Sequence, residues 1–311
     1  MKYLLSIIIP VYNAEQYLPR LFQSLMKQNQ ELIQIIFIND GSIDKSYNLL
    51  INFQINKKNV SVYNQKNKGG SAARNYGLQA AIGKYILFFD SDDFLEAGVL
   101  ERAIARLEET KADILIGNMK MVNTRGIGRL CLPVFKEQIS TDIEKLFYLE
   151  AFPGNKIYRR DIIEKYKINF ADVKIIQDVN FYLKYISHCC KIAFLSDNMY
   201  YYVVHNDSVS HLYSPYITDV IKSLRDVKKH YIHYGLYEKF QKLLEYEVVR
   251  FISYQIPKIT KIKGIRNRIV ICRYFRRNVK PLLKKKNEYI NDILRIEMKQ
   301  FCTSFLSNVL I

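Results

Sequence analysis

Short apolar runs and amphipathic stretches alternate through the first 118 residues of the chain. The runs Leu4–Ile9, Leu32–Ile38, Val60–Tyr63, Tyr85–Phe89 and Ile114–Gly117 have the length and composition of buried strands. Between them, helical spacing recurs. Leu18, Leu21, Phe22 and Leu25 share a face, with Asn13 placed as a cap. Tyr47, Leu50 and Ile51 follow Ser42 in the same way, and Ala72, Ala73, Tyr76, Leu78 and Ala80 line a third helix. Leu100, Ile104 and Leu107 line a fourth. Such alternation predicts an α/β fold, with a mostly parallel sheet covered by helices on both faces.

The signal fades between Asn118 and Pro133, where Gly126 and Gly128 mark a loop. Residues 141–187 read as helices broken at Pro153-Gly154, and Ile192–Val204 reads as a strand. Beyond Pro215 the pattern is helical, split at Pro257 and Pro281. With no repeat and no low-complexity linker, the division expected is 1–214, in halves 1–118 and 119–214, then a helical region 215–311 packed on it.

Composition changes this picture in three places. The net charge of +17 is concentrated in the second half, chiefly between Lys222 and Lys299. That excess attracts polyanions, although lysine-rich usage along the whole chain accounts for part of it. The five cysteines show no metal-binding spacing, and Cys189-Cys190 is a vicinal pair. Reduced, mostly buried thiols and a cytoplasmic location are expected. The opening Met1–Pro10 reads as a strand rather than a signal peptide, and no apolar stretch is long enough to span a bilayer.

The densest chemistry is Asp90-Ser91-Asp92-Asp93, which puts three carboxylates in four residues directly after an apolar strand. Clustered carboxylates repel one another, and a hard divalent cation carrying a diphosphate relieves that repulsion. Other polar segments also end predicted strands: Pro10-Val11-Tyr12-Asn13, Asn39-Asp40-Gly41-Ser42, and Asn67 through Asn75. Carboxyl ends of strands converge on one crevice in open α/β sheets. There the Asp40 carboxylate can accept from a nucleobase N–H, Gly69 and Gly70 allow close backbone approach, and Arg74 sits one turn into a helix. Asp92 can hold a metal that bridges two phosphates. Singly, each segment is also an ordinary turn, cap or surface residue.

Together the segments resemble the family 2 inverting glycosyltransferases with the GT-A fold. The motifs are Ser6–Asn13, Ile38–Asp44, Asn67-x-Gly69-x-Ser71-x-Ala73-Arg74-Asn75 and Asp90-x-Asp92-Asp93, and a later stretch, Gly154–Arg160, is also similar. The resemblance implies a GT-A nucleotide-binding mixed sheet flanked by helices, followed by a C-terminal helical region. It implies that Pro10, Tyr12 and Asp40 contact uracil or ribose, that Asn67 and Arg74 help hold the nucleotide, and that Asp90 and Ser91 face the ribose or donor sugar. Asp92 would bind Mn2+ or Mg2+.

An inverting transfer needs one carboxylate base. Family members often carry Glu-Asp followed by Phe three residues later; here the segment is Gln177-Asp178-Val179-Asn180-Phe181. Asp178 is the expected base, with Asp172 as its competitor and a helix-start carboxylate as the bland alternative. Gln177 departs from the pattern and puts acceptor contacts there in question. His205 is expected on pyrophosphate or metal, or as an ordinary loop histidine.

The expected activity is transfer from a UDP-sugar to a saccharide acceptor in surface polysaccharide or glycan biosynthesis, with a lipid-linked acceptor fitting the basic tail Lys258–Lys286. Interleaved isoleucines there suit an anionic membrane surface or a solvated helical face. No nucleic-acid module is recognised. A degenerate binding or partner subunit is the alternative, and UDP release in the presence of metal separates the two. Nothing in the chain selects one sugar, linkage or oligomeric state.

Overall fold

The computed structural model describes residues 3–123, 127–131, 134–204 and 218–259, with isolated positions 270, 273–274, 277–279 and 282. Strand β1, Leu5–Val11, is the axis of the first half. It pairs in parallel with β2 (Ile33–Asn39) on one side and β4 (Tyr85–Phe88) on the other. Strand β3 (Val60–Asn64) extends β2 in parallel. Alternate residues of these strands face opposite ways. Leu5, Ile7, Ile9, Ile35, Phe37, Leu87 and Phe89 share a core with the helices α1 (Leu18–Met26), α2 (Ser46–Gln54) and α4 (Val99–Thr110). On the other face Phe88 meets Tyr158 and Phe170, and α3 (Gly70–Ala80) packs on β1 and β2.

The sheet is mixed rather than mostly parallel. Among the described residues it has ten strands, with the path β3-β2-β1-β4-β9-β6-β10-β5. Here β5 is Phe94–Leu95, β6 is Ile114–Val122, β9 is Lys156–Arg159 and β10 is Ile192–Val203. Strand β9 lies antiparallel between β4 and β6. It replaces part of the helical stretch expected over 141–187, which otherwise holds a 3-10 helix, Ile143–Tyr148, and two α-helices, α5 (Arg160–Lys165) and α6 (Gln177–Ile186). The run is too short for period-2 alternation to declare itself, and its Lys156 is buried against the polar pattern of a strand end. Strand β6 also continues through Val122, past the point where the apolar signal faded. Short strands β7 (Gly128–Leu130) and β8 (Gln138–Ser140) pair antiparallel with β6 and β10.

Local expectations are corrected in three further places. Asn13 does not cap α1; its side-chain oxygen accepts from Ile43 N at 2.9 Å, and Tyr17 stands at the N-cap. The buried face of α3 is Ser71, Ala73, Arg74 and Gly77, so of the apolar set expected there only Ala73 is buried. Cys189 is buried but Cys190 is exposed.

The chain divides into two compact units, Met1–Asp172 with His188–Asn206, and Val173–Ser187 with Asp207–Ile311. The second is helical in its described part: α6 (Gln177–Ile186), α7 (Asp219–His233) and α8 (Tyr237–Ile259). Helix α7 is tied to α6 by Tyr231 Oη, which donates to Leu183 O at 2.9 Å, and by the Lys184–Asp226 ion pair. The break between α7 and α8 falls at Gly235, and α8 runs two residues past Pro257. Among the described residues no helix is long and apolar enough to cross a membrane.

Gly77 sets how close α3 lies to β1. A Cβ there would fall 2.3 Å from Ile8 Cγ2, inside the buried core. Gly77→Ala is expected to destabilise by about 1–3 kcal/mol, the usual range for overpacking, despite alanine's better helix propensity. Urea unfolding checks this; an unchanged or raised midpoint would show that the helix can ride outward without loss.

Candidate active site

The polar segments that end β1, β2 and β4 meet at one crevice of about 290 Å³. Its walls include Pro10, Tyr12, Asp40, Asp90, Ser91 and Asp92 from the expected set, together with Asn13, Ala14, Tyr17 and Gly70. Tyr12 is 51% exposed, an unusual setting for a ring next to a buried strand. Its open face suits stacking against a planar ligand.

Asp40 is buried, and its carboxylate accepts three hydrogen bonds. Gln65 Nε2 and Lys68 N donate to Oδ1 at 2.7 and 2.8 Å, and Gly69 N donates to Oδ2 at 2.8 Å. The residue therefore shapes the turn that opens α3. Gly69 takes φ +87° at the N-cap, a left-handed conformation open to glycine. Asn67 stands exposed on this turn and is not among the residues lining the crevice.

Arg74 is buried beneath the crevice rather than in its wall. Its guanidinium pairs with Asp90 Oδ1 at 2.6 Å and lies over the Phe170 ring. Its effect on a ligand would pass through Asp90. Arg20 of α1, for which the sequence offers no signal beyond a polar position on an amphipathic helix, donates from a terminal nitrogen to Asp92 O at 3.0 Å. The same guanidinium rests over Phe94.

Asp93 completes the acidic turn and points inward. It is 1% exposed, accepts from Tyr200 Oη, and accepts from Val203 N at 2.7 Å. Burial and then the neighbouring Asp92 and Asp90 charges push its carboxyl well above the ordinary range. Burial and the Asp93 carboxylate likewise push the Tyr200 phenol up.

Asp178 lies in the first turn of α6, in the second unit, half-buried, with Val179 N donating to its Oδ1 at 3.0 Å. Asp172 is exposed. His205 and most of Lys258–Lys286 lie outside the described residues.

Residues 6–167 match the model of glycosyl transferase family 2. The chain belongs to that family. Staphylococcus aureus TarS, a poly(ribitol-phosphate) beta-N-acetylglucosaminyltransferase, is 30% identical over 218 residues, 68% of this chain and 37% of that protein. A Bacillus spizizenii poly(ribitol-phosphate) beta-glucosyltransferase is 32% identical over 209 residues, 65% of this chain and 32% of that protein. The chain thus spans well under half the length of these relatives. The crystal structure of TarS 1-349 in complex with UDP-GlcNAc superposes with a TM-score of 0.77 at 25% identity, covering 98% of this chain and 92% of that one. The mixed sheet with flanking helices is the GT-A fold seen there.

Proposed function

We propose that this glycosyltransferase moves a sugar from a UDP-sugar to a saccharide or polyol-phosphate acceptor of a cell-surface glycan, with inversion. The observation that carries the donor assignment is the crevice: an exposed aromatic face at Tyr12, a buried carboxylate at Asp40, and an acidic end at Asp90-Ser91-Asp92. The names of the two poly(ribitol-phosphate) relatives support the acceptor class. A net charge of +17 complements a polyanionic acceptor.

The acidic end also supports a divalent cation. The crevice walls include three carboxylates, at Asp40, Asp90 and Asp92, and no lysine or arginine. A diphosphate would be repelled there without a counter-ion. Among the described residues no group of three or more His, Cys, Asp and Glu side chains forms a ready metal cage. That suits Mg2+ or Mn2+ held by one or two carboxylates and completed by phosphate oxygens. Asp92 is the proposed ligand, with Asp90 directed by Arg74 toward the sugar or ribose. When bound, the cation would neutralise charge on the departing diphosphate.

Asp178 is the proposed base, taking the proton from the acceptor hydroxyl as that oxygen attacks the anomeric carbon. Its support is the local segment with Phe181; the family match ends at residue 167. His205 is proposed at the pyrophosphate or metal. The acceptor is proposed to be lipid-linked, with Lys258–Lys286 on the anionic inner face of the membrane.

Three outcomes are expected. UDP release from a UDP-sugar should require Mn2+ or Mg2+, cease in chelator, and be lost in Asp92→Ala with the fold intact by circular dichroism. Full activity in chelator and in that variant would remove the metal-assisted mechanism. Asp178→Asn should lower transfer at least about 100-fold while UDP binding holds, the usual cost of a missing general base. Normal turnover would pass the role to Asp172 or another carboxylate. Adsorption to anionic vesicles should weaken as salt rises and fall on charge reversal at Lys284, Lys285 and Lys286. Flotation without any lipid preference at low salt would detach the enzyme from the membrane.

A further inference from the structure

The acidic turn is fastened to a strand distant in sequence. Asp93 accepts from Tyr200 Oη through one oxygen and from Val203 N through the other, so its carboxylate bridges two points of β10. Tyr200 is itself immobilised. It is fully buried, its ring meets Phe89 edge-on at 5.4 Å, and Gly154 also lies against it. A Cβ on Gly154 would fall 2.4 Å from Tyr200 Cε2, so this ring position requires glycine at 154. Asp92 lies between two fixed neighbours: Asp90 is paired with Arg74, and Asp93 is held by β10. The Asp92 backbone is held in addition by Arg20.

From this geometry we infer that Tyr200, seated by Gly154, is a positioning residue for the acidic turn, acting through Asp93 to hold Asp92 toward the crevice. The physical need is clear. Three carboxylates in four residues repel, and a turn held only from the α1 and α3 sides could relax by swinging Asp93 outward. A preorganised ligand set binds a cation without first reorganising. Tyr200 thus tunes how well the turn takes a metal-bound diphosphate, and has no direct part in holding the nucleoside. The inference rests on the proposed UDP and metal reading.

Tyr200→Phe keeps the ring packing and removes only the hydroxyl. Titration calorimetry on the full chain, with UDP at fixed Mn2+, Mn2+ at fixed UDP, and uridine alone, reads the consequence. UDP affinity should fall roughly five- to tenfold and the Mn2+ needed for half-saturation should rise by a similar factor, as for a lost hydrogen bond to a charged group. Uridine affinity should stay within about twofold, because Asp90, the residue of the turn proposed to face the ribose, is held by Arg74 and not by Tyr200. Gly154→Ala, which displaces the same ring by a different route, should move the same two quantities. Tyr201→Phe removes a neighbouring hydroxyl that donates to Glu96 and should move none of them. Unchanged Mn2+ demand in Tyr200→Phe, or an equal loss of uridine binding, overturns the positioning role and leaves the proposed function standing. Metal-independent UDP binding, or none, in the unaltered protein overturns both.

Discussion

The structure of the first unit depends on managing the negative charge of Asp90, Asp92 and Asp93. Each is met by a different partner from a different element. Arg74 on α3 neutralises Asp90, Arg20 on α1 holds the backbone of Asp92, and Tyr200 and Val203 on β10 take the buried Asp93 carboxyl. Two of these partners are themselves supported by rings: Phe170 under Arg74 and Phe94 under Arg20. The acidic turn is therefore a junction between both helical layers and the strand farthest along the chain. A loop with the same charges and no such partners would splay, since two like unit charges about 4 Å apart near a protein surface repel by about 4 kcal/mol.

The sheet explains why these partners can reach the turn. In a wholly parallel arrangement, the chain after β4 would continue outward from β1 by another helical crossover. Instead β9 enters antiparallel between β4 and β6, and β10 pairs in parallel with β6 for most of its length. The segment before β9 consequently lies at the same sheet edge as the acidic turn. Lys156 anchors it from within: its ammonium donates to Glu150 O, Phe152 O and Asn155 Oδ1 at 2.6, 3.1 and 2.8 Å. Three oxygen acceptors match the three donors of the buried ammonium. This arrangement places Gly154 where it meets Tyr200.

What could be read from the chain alone follows the same physics. Strands β1, β2 and β4 were legible because both of their faces are buried, which writes a continuous apolar run. The crevice was legible because polar residues that interrupt such runs stand out at their ends. Strand β9 was not, since four residues carrying a buried lysine offer no periodicity to read. The face of α3 was misjudged because close packing on Ile8 selects the smallest residue, so Gly77 is buried where hydrophobicity points to Leu78. By sequence Asp93 belongs to the same carboxylate cluster as Asp90 and Asp92. Its inward turn depends on Tyr200, 107 residues later, and no local pattern encodes that distance.

Under the proposed donor assignment, Asp40 would serve both fold and recognition. A carboxylate offers about four acceptor sites. Three are used by Gln65, Lys68 and Gly69, which fixes the turn that opens α3. A donor N–H from a bound base would then complete an already oriented acceptor rather than recruit a mobile one. The same donors hold the carboxylate still, and an acceptor-only group favours a ligand that brings a hydrogen over one that brings another lone pair. A uracil N3–H has that character and the corresponding cytosine nitrogen does not. Choice of base and shape of the glycine turn are on this view coupled through a single buried residue, so a change at Gln65 that loosened the turn would also blunt the discrimination.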